Sequence, residues 1–219
     1  MDAKTILSHV DHTLLKPDAT EAQLRSLCRE ALDYGVASVC LNPRYVTLAA
    51  SILRQKIAVC TVVGFPLGAM TQNAKVFEAQ EAVANGADEI DMVISIGDLK
   101  DKKFDAIEDE IRAVKAAIGG RVLKVIIETC LLTDGEKRRM CHIVEQAGGD
   151  YIKTSTGFAS GGATAADIAL FAEETGGRIK IKAAGGIKTC EDMQMFLSLG
   201  ADRLGSSSAI RLMKEAGLL

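Results

Sequence analysis

Hydrophobic residues along this chain follow two alternating periods, one typical of β-strands and one typical of helices. Short segments rich in β-branched residues are separated by longer amphipathic segments, such as EAQLRSLCREALDYG and AKVFEAQEAVANGAD. Several of the amphipathic segments end on a glycine, which suits the C-terminus of a helix. The pattern predicts eight strands, at residues 9–14, 36–41, 57–63, 88–94, 123–128, 151–156, 178–183 and 202–207.

Strand and helix therefore alternate eight times in 219 residues, which is typical of a parallel sheet built with right-handed crossovers. The economical fold for this α/β pattern is a single (β/α)8 barrel of the TIM-barrel type. No Pro-, Ser- or Gly-rich linker divides the chain, so residues 1–219 are expected to form one catalytic domain. A doubly wound open sheet is the alternative, but the first strand is not followed by a GxGxxG motif.

Composition and charge narrow the possible functions. The net charge of −3 and the isoelectric point near 5.7 give no basic field that would attract nucleic acid or anionic lipid. No apolar run approaches the roughly 18 residues of a membrane-spanning helix, and the N-terminal segment lacks the apolar core of a secretory signal. We therefore expect a cytoplasmic protein that binds neither nucleic acid nor membranes.

The cysteines and histidines show none of the spacings typical of metal sites or redox motifs. The six cysteines form no CxxC pair, and the three histidines are not spaced to share one face of a strand. The cysteines are expected to be free and mostly buried in a reducing compartment. No metal ligand and no cofactor are predicted.

Alternation along the strands identifies polar residues that should point into the barrel. In DEIDMVI, Ile90, Met92 and Ile94 share the face that packs on the helices, which directs Asp91 inward. The same count directs Lys182 inward on the seventh strand. Functional residues of such barrels lie at the C-terminal ends of the strands, so these two side chains are candidates for chemistry.

Lys153 lies in the middle of DYIKTSTGF, a segment that otherwise favours a buried strand. A buried ammonium costs several kcal/mol unless it is paired or neutral. At about 6 Å and an effective dielectric constant near 20, repulsion from Lys182 amounts to about 3 kcal/mol and favours a neutral amine. A neutral lysine attacks carbonyl carbons, and Asp91 supplies a carboxylate for proton transfer. The three residues together predict Schiff-base chemistry.

The alternative is a structural network of ion pairs. In that interpretation Lys124 pairs with Asp91 or Glu128, and Lys180 forms an ion pair one layer nearer the bottom of the barrel. Asp11 on the first strand and Asn42 after the second strand are further polar residues near the same rim.

Glycine and serine residues follow the last two strands, in AAGGIKT (183–189) and GSSSAI (205–210). Adjacent glycines let backbone N–H groups approach a ligand closely, and serines at a helix start add hydroxyl donors. The loops after strands 7 and 8 commonly hold phosphate in these barrels. The substrate is therefore expected to be a small phosphorylated carbonyl compound or sugar.

Nine segments of the chain together resemble one enzyme family, the 2-deoxy-D-ribose-5-phosphate aldolases. The similarity is carried by DHTLLKPDAT (11–20), VCLNPRYV (39–46), VVGFPLG (62–68), GADEIDMVI (86–94), LKVIIET (123–129), YIKTSTGF (151–158), GGAT (161–164), IKAAGGIKT (181–189) and RLGSSS (203–208). These segments cover nearly the whole chain and occur in order. The family commonly carries a tail with a tyrosine beyond the last helix, whereas this sequence ends in KEAGLL, so the resemblance does not extend to tail-assisted proton transfer.

The resemblance implies a class I aldolase that cleaves 2-deoxy-D-ribose 5-phosphate to acetaldehyde and D-glyceraldehyde 3-phosphate. It implies that Lys153 forms the Schiff base and that Asp91 and Lys182 transfer protons. It assigns further residues to substrate binding or to the surrounding network, namely Asp11, Lys124, Thr156, Gly157, Gly185, Gly186, Gly205, Ser207 and Ser208. A homodimer is the expected assembly.

Two other functions fit the residues. One is a Schiff-base lyase or synthase that acts on a different phosphorylated sugar. The other is a barrel that binds a phosphosugar without catalysis.

Overall fold

Eight parallel strands form a closed barrel in sequence order, and the last strand pairs with the first. The computed structural model describes all residues from 1 to 219. The strands are β1 (Val10–Leu14), β2 (Ser38–Leu41), β3 (Ala58–Val63), β4 (Glu89–Val93), β5 (Val122–Ile126), β6 (Tyr151–Lys153), β7 (Lys180–Ala184) and β8 (Arg203–Ser206). The predicted (β/α)8 barrel is thus confirmed, and the open-sheet alternative is wrong because the sheet has no free edge.

Helices surround the barrel on its outer side. They are α1 (Ala3–Leu7), α2 (Glu21–Tyr34), α3 (Val46–Leu53), α4 (Gln72–Ala84), α5 (Ile96–Lys100), α6 (Phe104–Ala117), α7 (Asp134–Gln146), α8 (Ala165–Thr175), α9 (Cys190–Ser198) and α10 (Ala209–Glu215). Short 3₁₀ turns cover Pro43–Tyr45 and Thr129–Leu131. No helix is long and apolar enough to span a membrane.

Local sequence signals set several helix ends. Thr20 and Gln23 form a capping box at the start of α2, because each side chain accepts from the backbone N–H of the other. Thr133 and Glu136 do the same at the start of α7. At the other end of α2, Gly35 takes the left-handed conformation at φ 65°.

The sixth strand is shorter than the sequence predicts. The N–H of Thr154 still donates to the Lys182 carbonyl oxygen at 3.1 Å, but the Thr154 side chain takes over the pairing with Ala184. The hydroxyl of Thr154 donates to the carbonyl oxygen of Ala184 at 3.0 Å and accepts from its N–H at 3.1 Å. This exchange ends the regular ladder with β7 and frees the following residues to form a loop.

The largest apolar cluster lies between the barrel and the helices, where Ile90, Met92 and Ile94 are fully buried. These three residues occupy the outer face of β4, as alternation predicts. The inner face therefore carries the polar side chains that form the site.

Candidate active site

Three buried lysines converge on one carboxylate inside the barrel. Lys153 Nζ and Lys182 Nζ each donate to Asp91 Oδ2 at 2.6 Å, and Lys124 Nζ donates to Asp91 Oδ1 at 2.9 Å. The strand register explains why these side chains converge. Asp91 of β4 pairs in register with Lys124 of β5, and Lys153 of β6 pairs in register with Lys182 of β7. The predicted inward directions of Asp91 and Lys182 are confirmed.

A second carboxylate, Asp11 on β1, joins the network from the opposite side. It accepts hydrogen bonds from Lys182 Nζ, from Arg203 Nη1 at 2.6 Å and from Ser38 Oγ at 2.7 Å. Lys124 Nζ also lies 3.4 Å from Asp11 Oδ2. Asp11 therefore holds the supporting cations rather than contacting Lys153.

A third carboxylate, Glu89, lies one layer lower on β4. It pairs with Lys124 at 2.6 Å and with Arg203 at 3.2 Å. Neither Glu89 nor Arg203 was among the candidate residues from the sequence. Glu89 could have been found by alternation, because it lies two residues before Asp91 and shares its face.

The carboxylates and cations of this network hold each other in their charged forms. Burial opposes charge on Lys182, but the carboxylates of Asp11 and Asp91 outweigh it and raise the pKa of this lysine. Burial likewise opposes charge on Asp91, but Lys124, Lys153 and Lys182 outweigh it and hold its pKa well below the usual range. A charged Lys182 therefore lies near Lys153, and the carboxylate of Asp91 bridges the two lysines.

One expected ion pair is not formed, and of the two carboxylates named as alternative partners of Lys124 only Asp91 takes that role. Lys180 is exposed, and its ammonium lies 5.6 Å from the centre of the Tyr151 ring instead of pairing with an acid. Lys124 pairs with Asp91, but Glu128 lies elsewhere. Strand β5 ends at Ile126, so the alternation that would have brought Glu128 inward beside Lys124 no longer applies.

Glu128 instead connects the loops that follow β5 and β6. Its buried carboxylate accepts hydrogen bonds from the backbone N–H of Thr156, at 3.2 Å to Oε1, and from the Thr156 hydroxyl. Its backbone is left-handed at φ 54°, an uncommon conformation for a residue with a side chain. The contact fixes the start of the loop that contains Gly157.

Cysteines and carboxylates also gather in the barrel, although their spacing in the sequence showed no metal motif. Cys40, Cys60 and Asp91 offer donor atoms within 4.8 Å of one another. However, Lys124 Nζ lies 3.1 Å from Cys60 Sγ and 2.9 Å from Asp91 Oδ1, so an ammonium already contacts two of these three donors. Burial raises the pKa of the Cys60 thiol well above its ordinary value. All six cysteines are free and five are buried, as expected.

A cavity of about 400 Å³ opens above Lys153 at the C-terminal end of the barrel. The loops after β1, β6, β7 and β8 form its walls. Its lining includes Lys153 and the predicted substrate-binding residues Thr156, Gly157, Gly185, Gly186, Gly205 and Ser207. Asp91, Lys182, Asp11 and Lys124 lie beneath it, and Ser208 lies outside the lining.

Backbone geometry explains two of the lining glycines. Gly185 has φ 77°, a conformation that side chains strongly disfavour, and a Cβ there would lie 3.2 Å from Gly162 Cα. A Cβ on Gly205 would lie 2.9 Å from Ala184 Cβ and 3.3 Å from Lys182 Cε. Side chains at these positions would narrow the cavity or displace Lys182.

The wall formed by the loop after β1 was not predicted. Thr13 and Leu14, the last residues of β1, and Leu15 and Lys16, which follow it, line the cavity, whereas Asp11 was the only candidate residue predicted on this strand. Their position at the C-terminal end of a barrel strand, or directly after it, was the available signal.

The comparisons with known proteins agree on one family. A family model described as DeoC/LacD family aldolase matches residues 5–210. The chain is 54% identical over 212 residues to a deoxyribose-phosphate aldolase of Clostridioides difficile (strain 630), covering 97% of each. It is 51% identical over 214 residues to a deoxyribose-phosphate aldolase of Clostridium botulinum (strain Eklund 17B / Type B), covering 98% of this chain and 97% of the relative.

Solved structures show the same likeness. A chain described as QR15, an aldolase, superposes with a TM-score of 0.93 at 39% identity, with 96% of this chain and 95% of that chain covered. A deoxyribose phosphate aldolase from Aeropyrum pernix, described as tetrameric, superposes with a TM-score of 0.90 at 32% identity, with 99% and 92% covered.

Proposed function

Because this chain belongs to the DeoC/LacD family of aldolases, we propose that its reaction centre is the lysine cluster at the floor of the barrel cavity. The chain is a carbon–carbon lyase that reversibly cleaves 2-deoxy-D-ribose 5-phosphate to acetaldehyde and D-glyceraldehyde 3-phosphate through a lysine Schiff base. The residues proposed to perform this reaction are identified by their positions around the cavity.

One observation distinguishes Lys153 from the other buried lysines. Lys153 lines the cavity, whereas Lys124 and Lys182 lie beneath it. Lys153 also has a single carboxylate partner, while each of the other two contacts at least two carboxylates. Lys153 is therefore the amine that can reach a substrate carbonyl.

The chemistry follows from that position. The neutral amine of Lys153 attacks C1 of the open-chain sugar, and loss of water from the carbinolamine gives an iminium. The C3 hydroxyl then passes its proton through a water to the Asp91 carboxylate, the C2–C3 bond breaks, and its electron pair moves toward the iminium nitrogen to form an enamine. D-Glyceraldehyde 3-phosphate leaves as the aldehyde that contains C3. Protonation of the enamine at C2 and addition of water release acetaldehyde and restore the amine.

Asp91 and Lys182 are placed to move protons in these steps. Asp91 Oδ2 lies 2.6 Å from both ammonium groups, so one carboxylate oxygen connects Lys153 to Lys182. The lowered pKa of Asp91 keeps its carboxylate ionised, and it therefore stabilises the positive iminium. The charged Lys182 supplies the proton donor on the same oxygen.

The walls of the cavity are proposed to bind the rest of the substrate. Gly157, Gly185, Gly186, Gly205 and Ser207 line the same cavity as Lys153, and this glycine- and serine-rich wall is proposed to bind the phosphate group. Thr156 is proposed to contact the sugar, and Ser208 to support the loop after β8. The iminium serves as the electron sink, so the proposed steps use no cofactor.

The assembly and compartment are further parts of the proposal. We expect one catalytic domain over the whole chain, acting in the cytoplasm as a homodimer. The free, mostly buried cysteines support a reducing compartment. The description of the Aeropyrum pernix relative as tetrameric supports self-association of this fold, with a dimer as its smallest symmetric unit.

The test is borohydride trapping. Incubation with acetaldehyde and borohydride should add an ethyl group to the peptide that contains Lys153, and Lys153→Met should abolish both the label and cleavage. Lys180→Met is the matched control, because it removes a lysine from the neighbouring strand outside the network. Label confined to exposed lysines would exclude Lys153 as the nucleophile. Measuring glyceraldehyde 3-phosphate release from several phosphosugars separates this enzyme from a lyase of different specificity.

A further inference from the structure

A phosphorylated substrate carries roughly two negative charges into the cavity. The buried network contains no unpaired cation that could balance them. Beneath Lys153, three cations pair with three carboxylates, namely Lys124, Lys182 and Arg203 with Asp11, Glu89 and Asp91. Lys153 must be uncharged when it attacks the carbonyl. Glu128 adds a buried carboxylate near the wall and has no ion pair. A positive charge for the phosphate must come from elsewhere.

Lys16 is the remaining cation in the lining of the cavity. It is exposed, and no carboxylate lies within ion-pair distance of its ammonium. Its side chain therefore keeps its charge available for a ligand, unlike the other cations around Lys153.

The closure of the barrel places Lys16 beside the proposed phosphate loops. Strand β1 pairs with β8, and Asp11 is level with Gly205. The loop after β1 therefore lies next to the loop that contains Ser207, and both line the same cavity. Along the chain these two loops are separated by nearly the whole sequence.

Asn42, which follows β2, holds the loop of Lys16 in place. Its side-chain amide donates to the carbonyl oxygens of Leu15 at 3.2 Å and Lys16 at 3.4 Å. The Lys16 carbonyl also accepts from the N–H of Ala19 at 3.1 Å. The backbone that carries Lys16 is thus fixed, while its side chain remains free to extend over the cavity.

We infer that Lys16 binds the phosphate group of the substrate and gives the enzyme its preference for phosphorylated over unphosphorylated sugars, with Asn42 as the positioning residue of its loop. This inference rests on the proposed function. Gly and Ser donors orient the phosphate, whereas Lys16 supplies the compensating charge.

The experiment compares Lys16→Met with Lys16→Arg and with Lys56→Met. Lys56 is an exposed lysine without an ion pair, located between α3 and β3 at the opposite end of the barrel, and serves as the matched control. The readouts are the ratio of kcat/KM for deoxyribose 5-phosphate to that for deoxyribose, and the affinity for inorganic phosphate measured by calorimetry. Lys16→Met should lower the ratio and weaken phosphate binding by about tenfold each, as expected for one charge-assisted contact. Lys16→Arg should retain most of the kcat/KM ratio and most of the phosphate affinity, and Lys56→Met should change neither quantity.

Equal losses of kcat/KM for the two substrates, or unchanged phosphate affinity in Lys16→Met, would overturn the inference. Asn42→Ala should lower the same ratio with little change in kcat for deoxyribose 5-phosphate, because it acts through the position of Lys16. Phosphate affinity does not depend on catalysis. If the wild-type protein binds phosphate through Lys16 but forms no Schiff base, the proposed function fails and the assignment of Lys16 stands.

Discussion

Replacing Asp91 with Asn tests whether this carboxylate takes part in catalysis or only balances charge. The substitution keeps the shape of the side chain and removes the negative charge on which Lys153, Lys182 and Lys124 converge. Lys182 and Lys124 retain other carboxylates, but Lys153 loses its only one. The largest effect should therefore appear at the reacting amine.

The magnitude follows from the distances. At 2.6 Å and an effective dielectric constant near 20, each close pair with Asp91 is attracted by about 6 kcal/mol, which in the native protein offsets the cost of burial. Removing one partner of a buried pair typically lowers the free energy of unfolding by about 3–5 kcal/mol. Removing a proton-transfer group typically lowers kcat by about 10²–10⁴. We expect both losses in Asp91→Asn.

Asp11→Asn is the matched control. Asp11 is equally buried and pairs with Lys182 and Arg203, but it does not contact Lys153. Guanidinium denaturation should therefore show a comparable decrease in the free energy of unfolding for the two variants. The kcat of Asp11→Asn should nevertheless be at least about tenfold higher than that of Asp91→Asn.

Cleavage is measured by coupled release of glyceraldehyde 3-phosphate, at a temperature where both variants are folded. Borohydride trapping with acetaldehyde reports separately on the amine, and the label on Lys153 should still form in Asp91→Asn. If turnover in the two variants is equal, Asp91 acts only as a counterion and its proposed role in proton transfer is refuted.

Four further outcomes are expected. Ser207→Asp should raise KM for deoxyribose 5-phosphate much more than for deoxyribose, because it places a negative charge in the proposed phosphate site; equal changes would locate the phosphate elsewhere. Prolonged EDTA treatment should leave cleavage unchanged, whereas a loss restored by zinc would indicate a metal-dependent mechanism. Lys75 and Glu110 form a buried pair at 2.8 Å, so Lys75→Met alone should lower the free energy of unfolding by about 3–5 kcal/mol. Adding Glu110→Leu should recover most of that loss, and additive losses would contradict the pairing. Burial opposes charge on Asp11, but neighbouring cations outweigh it and hold its pKa below the unfolded value of about 3.9. Its stabilisation is therefore present above pH 4 and is lost as the pH falls further, so acid unfolding should depend less on pH in Asp11→Asn.

The period of the apolar residues was sufficient to predict the barrel and the direction of its inner residues. Alternation of two in DEIDMVI placed Asp91 inside, because successive side chains of any strand point to opposite faces. The same rule directed Lys182 inward, and Lys153 was identified as a charged residue within a segment that favours a buried strand. Helix-capping residues such as Thr20 mark element ends through contacts only a few residues apart.

Where a strand ended, that rule failed. Of the two alternative partners named for Lys124, Asp91 pairs with it but Glu128 does not, because β5 stops at Ile126 and the backbone of Glu128 is left-handed. Lys180 was expected to form an ion pair, but it lies at the first residue of β7, where the barrel opens to solvent and no acid is close.

The partners within the site depended on closure of the barrel. Arg203 and Asp11 are separated by 192 positions and meet only because β8 pairs with β1. The same pairing brings the loop of Lys16 beside that of Ser207. A local pattern determines which face a side chain takes, since that depends on adjacent residues of one strand. Which charges meet depends on distances between strands far apart in the chain, and those exist only after the sheet has closed.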